Sequence, residues 1–161
     1  DSIKEGYISQ YKDVKFKGRV LPKKLVNNKT ENNGRTKTDS LCFFSGGVDA
    51  TATMLRYLDE KPLLVSIFGA DLRLSDHEGW KVVKESNHRT AKDFGLDFTT
   101  VVSSFRDAVN EGKLHALVSS INDGYGWYHD FCHGIATISH AVPITSFFGM
   151  HVVYIASSVS E

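Results

Sequence analysis

Seven consecutive residues combine groups that seldom occur together by chance. Ser45-Gly46-Gly47-Val48-Asp49-Ala50-Thr51 brings a hydroxyl, two adjacent glycines, a carboxylate and a second hydroxyl into one short turn of chain. Glycines let a ligand approach bare backbone and permit positive φ. Where such a turn opens a helix, the first N–H groups have no carbonyl to bond. They form an anion site, favoured by about 0.3–1 kcal/mol from the helix dipole. Ser45 is placed to donate to a phosphate oxygen, and Thr51 to do the same one turn along. Asp49 would repel a bare phosphate. It fits if Mg²⁺ bridges it to a polyphosphate, because Mg²⁺ takes one or two carboxylates together with phosphate oxygens. The segment therefore points to a magnesium-bound nucleotide, with a plain helix N-cap and glycine turn as the alternative.

The elements that must position this turn can be read on either side of it. Leu41–Phe44 is a continuous apolar run, predicted as a buried strand, and Ala50–Asp59 has helical spacing. Leu63–Phe68 predicts a second strand and Phe98–Val102 a third, with a helix over Asp76–Phe94 between them and Gly95 as its stop. Phe105–Ile121 predicts one or two helices, Tyr128–Phe148 a longer one bent at Pro143, and Val152–Ala156 a fourth strand. Short apolar strands alternating with helices imply an α/β fold: a doubly wound, mostly parallel sheet with helices on both faces. Ligands of such sheets bind beyond the carboxyl ends of the strands. That rule selects Ser45–Thr51, Gly69–Leu74, Ser103-Ser104 and Ser157–Glu161.

Two familiar nucleotide loops are excluded. No lysine follows Gly47 as a Walker A loop requires, and the paired glycines lack the spacing of a dinucleotide fingerprint. The run Ser45-Gly46-Gly47-Val48-Asp49, after an apolar strand and before a helix, instead resembles the S-G-G-x-D-[ST] signature of the PP-loop ATP pyrophosphatases. That superfamily includes the synthetase domains of asparagine, argininosuccinate, GMP and NAD synthetases, with tRNA-thiolating and deazaguanine enzymes. The motif covers about seven residues, and the α/β texture extends the resemblance loosely from Ser40 to Ala156.

The resemblance implies an adenine nucleotide alpha hydrolase-like fold and an ATP-dependent synthetase or ligase. Such an enzyme cleaves ATP to AMP and pyrophosphate, adenylating a carboxyl or carbonyl group for attack by an amine, ammonia or sulfur nucleophile. Ser45 and Asp49 would be catalytic, and Ser45, Gly46, Gly47, Val48, Asp49, Ala50 and Thr51 would hold ATP and pyrophosphate. Asp49 would bind Mg²⁺ through ATP. Phe68, Gly69, Ala70 and Asp71 occupy the adenine and ribose position, and Ser157 and Ser158 would face the same ligand. Position 50 departs from the pattern: it is Ala where the family has Ser or Thr, so Thr51 or Thr53 would have to supply the hydroxyl. A non-catalytic nucleotide-binding regulatory module stays open for that reason. So does a sulfonucleotide reductase-like enzyme, which shares the loop but needs a nucleophilic cysteine.

Other residues carry less specific signals. Arg73 would neutralise a phosphate or serve structure alone, whereas Asp76 is read as a helix cap. His129, Cys132, His133, Ala136 and His140 share one face if the segment is α-helical. That face would hold zinc, supply a proton donor toward a substrate from His129 or His133, or simply pack. Trp127 and Tyr128 are read as core or rim.

Bulk properties set the frame. Nineteen basic residues balance nineteen acidic ones, so charge gives no reason to expect nucleic acid, though tRNA as acceptor stays open. No apolar run reaches the roughly 18 residues of a bilayer span, and Asp1–Gln10 lacks a secretory h-region. Two cysteines form no disulfide framework, which suits a cytoplasmic protein. The expected partners are ATP and a small-molecule acceptor, with homo-oligomer formation open. Residues 1–39 read as an extension ending in a polar loop, and residues 40–161 as the ATP-binding domain of a longer chain.

Overall fold

The computed structural model describes residues 38–119 and 126–156. Most of the N-terminal extension, residues 1–37, lies outside the described residues, as do Ser157 and Ser158. Four strands form one parallel sheet: β1 (Ser40–Phe43), β2 (Leu63–Phe68), β3 (Phe98–Val102) and β4 (Val152–Tyr154), in the spatial order β3-β2-β1-β4. The helices are α1 (Val48–Arg56), α2 (His77–Asp93), α3 (Glu111–Ser119) and α4 (His133–Phe148), the last preceded by a π-helical segment over Trp127–Cys132.

β1 is buried along its whole length, and apolar after Ser40, because both of its faces are covered. Leu41 and Phe43 pack with Leu63, Val65, Ala141, Ile144 and Met150, so α4 closes one face. Cys42 and Phe44 pack with Leu64, Ala50, Met54, Ala91 and Leu96, so α1 and α2 close the other. Each fully buried aliphatic or aromatic side chain contributes about 1.5–3 kcal/mol by leaving water. Register follows the pleat: Leu41 faces Leu63 across one ladder and Val153 across the other.

Boundaries shift where side chains find other partners. α1 stops at Arg56, short of the expected Asp59, because Tyr57 leaves helical geometry and stacks on Tyr154 with ring centroids 3.8 Å apart. A 3₁₀ turn over Leu58–Glu60 and Lys61 at φ 49° then lead to Pro62 and β2. α2 ends as the sequence predicts, with Gly95 at φ 67°. α4 runs on through Pro143 and is closed by Gly149 at φ 71°. Among the described residues, no helix is long and apolar enough to cross a membrane.

Candidate functional site

The chain leaves β1 toward β2 on one side and returns to β1's other side as β4, so the β1–α1 loop sits where the sheet order divides. Gly46 takes φ 83°, which a side chain would strain, and Gly47 serves as N-cap of α1 with no side-chain cap on it. Gly47 N–H donates to Ser45 Oγ at 3.3 Å. The N–H groups of Val48, Asp49 and Ala50 begin the helix and have no carbonyl one turn back. Val48 is 85% exposed and Asp49 is exposed in the first turn, so bare amides and a carboxylate lie together at the surface.

The loop opens on a cavity of about 330 Å³, within the range of small-molecule pockets. Ser45 and Ala50 line it from the loop, Ala70 and Asp71 from beyond β2, Trp80 and Asn87 from α2, and His133 and Thr137 from α4. Its walls are largely apolar and its polar groups few, the usual recipe for orienting a ligand with a flat hydrophobic part.

Two loop residues differ from their expected roles. Ala50 is 4% exposed and belongs to the core with Cys42 and Met54, so the position is as much packing as site. The Thr51 hydroxyl donates to Gly47 O at 2.9 Å, within its own helix, and is not turned toward the cavity's ligand space.

Residues 68–71 divide likewise. Phe68 is buried and stacks on Trp80, centroids 4.8 Å apart and planes within 6°. Gly69 sits at φ 100°, and a Cβ there would meet the Ser103 carbonyl oxygen at 1.9 Å. The close passage of two chain segments accounts for that glycine without a ligand. Ala70 and Asp71 do reach the cavity.

At the mouth, charges form a chain. Tyr128 Oη donates to Asp71 Oδ1 at 3.2 Å, and His133 Nε2 stands 3.9 Å from the same oxygen. Burial and the Asp71 carboxylate push the Tyr128 phenol well above its ordinary range. Arg106 grips Glu111 through Nε (2.6 Å) and Nη2 (3.0 Å) and donates from Nη1 to Ala70 O at 2.6 Å. Arg73 also bonds Glu111. Hydrogen bonds from Arg106, then Arg73, hold the Glu111 carboxyl below the usual carboxylate range. Arg73 is thus committed to a carboxylate in this structure and does not line the cavity.

The histidine face does not survive as one face. Trp127–Cys132 is wound as a π-helix, so 3.6-residue spacing fails upstream of His133. His133 turns to the cavity, while His140 contacts Ala136 O and packs edge-on against Phe105. The side chain of His129 is outside the described residues. Among the described residues, no group of three or more His, Cys, Asp or Glu side chains is arranged to hold a metal. Asp76 does cap α2, accepting from Gly79 N at 2.9 Å.

Trp80 and Asn87 are among the cavity residues that sequence reasoning missed. Trp80 was legible only as part of a helical apolar stripe. Asn87 carried no signal, yet it is a buried amide beside the loop, with Ser66 as its neighbour on β2. Neither a family model, nor a curated protein, nor a solved structure matches this chain.

Proposed function

We propose that the chain is an ATP-dependent synthetase of the PP-loop type, on a doubly wound, adenine nucleotide alpha hydrolase-like fold. One observation carries the reading. An uncapped helix N-terminus, entered through a positive-φ glycine, stands where the sheet order divides and borders the cavity through Ser45 and Ala50. The amides of Val48–Ala50 with Ser45 would bind the β- and γ-phosphates that leave as pyrophosphate. The loop's exposed carboxylate, Asp49, suits a cation whose other ligands are phosphate oxygens and water. Mg²⁺ there would offset charge on the polyphosphate. The apolar wall of Trp80 and Val83 suits the base.

In the first step a substrate carboxyl or carbonyl oxygen attacks the α-phosphorus and the α–β P–O bond breaks, releasing pyrophosphate. In the second an amine, ammonia or sulfur nucleophile takes the activated carbon and AMP leaves with the electron pair. Positioning and charge stabilisation at the loop would carry the first step. The test is isotope exchange between pyrophosphate and ATP across a panel of carboxylic and amide substrates, alongside calorimetric MgATP binding. Exchange with one substrate class is expected. Tight MgATP binding with no exchange for any of them would leave a nucleotide-binding module.

That second reading has its own observation: Ala50 lies in the core and the Thr51 hydroxyl is spent on Gly47 O, so the loop lacks a side-chain phosphate donor after Asp49. A sulfonucleotide reductase-like role draws no support from the thiols. Burial raises both, Cys42 to about 11, away from thiolate chemistry.

A further inference from the structure

Asn87 lies on α2, is 2% exposed, and lines the cavity. Its Nδ2 donates to Phe44 O at 3.2 Å and to Ser66 Oγ at 3.0 Å, while Ser66 Oγ donates to Phe44 O at 2.6 Å. The single proton of Ser66 goes to Phe44 O, so its oxygen is left to accept. A carbonyl only accepts, and therefore the amide nitrogen, not the oxygen, must face these two partners. Oδ1 is consequently turned toward Gly46: a Cβ on Gly46 would stand 2.5 Å from it. Phe44 O is the last carbonyl before the loop, so it is clamped from β2 and from α2 at once. Gly46, two residues on, is backed by the same amide. Three elements meet at the root of the loop through one neutral side chain.

We infer that Asn87 is a positioning residue for the β1–α1 loop. By fixing Phe44 O and filling the space behind Gly46, it holds the entry to α1, and with it the helix's first amides, in one conformation beside the cavity. The consequence for ligand binding rests on the nucleotide reading, but the effect on the loop does not.

Backbone ¹⁵N relaxation on the whole chain tests the loop directly, in wild type, Asn87→Asp, Asn87→Ala and Ser66→Ala. Asn87→Asp keeps the shape but sets carboxylate oxygens against two acceptors. Gly46 and Gly47 are expected to gain fast motion in the Asn87 variants while β1 and β2 amides stay as rigid as before. MgATP and inorganic pyrophosphate should weaken about tenfold, and adenosine little. Ser66→Ala keeps the amide, removes one clamp and should give a smaller change of the same sign, which serves if an Asn87 variant does not fold. Unchanged loop motion would overturn the inference, as would equal losses for MgATP and adenosine, the mark of general core damage. A loosened loop in a protein whose wild type binds neither MgATP nor pyrophosphate would uphold the positioning role and remove the nucleotide reading.

Discussion

The Arg106 guanidinium lies over the Tyr128 ring, 3.9 Å from its centroid, while the phenol of that ring donates to Asp71. The same cation donates to Ala70 O and holds Glu111. One side chain therefore ties the segment after β2 to the π-helical turn and to α3. The mouth of the cavity takes its shape from this arginine.

Replacing Arg106 with Ala is expected to destabilise the fold by about 1–3 kcal/mol, since the half-buried Glu111 keeps only Arg73. Lysine should recover only part, because an ammonium cannot grip a carboxylate with two parallel bonds. The pH dependence has a definite sign. The folded pKa of Glu111 lies below its unfolded value, so its contribution is complete above about pH 4.3 and is lost as pH falls through the folded value. Urea titrations at a series of acidic pH values should show that loss in wild type and a smaller one in Arg106→Ala.

Gly69→Ala should be among the most damaging single substitutions. It combines φ 100° with a contact no side-chain adjustment can relieve, because the obstacle is the Ser103 backbone. A loss of at least about 2 kcal/mol is expected, measured by urea or thermal unfolding. Gly95→Ala, where a Cβ meets nothing within 4 Å, should cost less despite its own positive φ.

Ala50→Ser restores the hydroxyl that the PP-loop pattern has at this place. The residue lines the cavity and packs in the core, so stability should fall by about 1 kcal/mol while pyrophosphate binding tightens. Paired thermal melts and calorimetric titration with pyrophosphate separate the two effects. Unchanged affinity would mean that backbone amides and Ser45 carry the anion alone.

Tyr154 donates to both carboxylate oxygens of Glu60 at 2.7 Å, and this bond pushes its phenol up to about 12. The folded value exceeds the unfolded one near 10. Its contribution is therefore whole below about pH 10 and fades as pH climbs through the folded value. A difference titration of phenolate absorbance between wild type and Tyr154→Phe should show this late ionisation. The Phe variant should lose less stability on the alkaline side.

Much of the sheet was legible because short apolar or β-branched runs between turn residues leave a simple mark. β2 and β3 coincide with their predicted spans, and both strands are bounded by turn residues. The loop was legible because two glycines, a hydroxyl and an acid have few reasons to adjoin. What could not be read came from contacts between distant residues. Gly69 is glycine because of Ser103, thirty-four positions on, and Asn87 matters because of Phe44 and Ser66. Arg73 was equally opaque, since it lies in the segment after β2 and its partner Glu111 opens a helix thirty-eight positions on. The π-helical turn defeated periodicity outright, because spacing rules presuppose the α-helical pitch.

That turn has a consequence for how such a chain could diverge. A π-turn is in effect an α-helix carrying one surplus residue. A lineage that deleted a single residue between Tyr128 and His133 would regain ordinary pitch, and the shorter α-helical path would make about the same turn around the axis that the π-wound one makes now. Tyr128 would keep nearly the same face as His133, so the phenol could still reach Asp71 and the ring still lie under Arg106. One codon can thus come or go at the rim of the pocket without rewiring it or touching the sheet beneath.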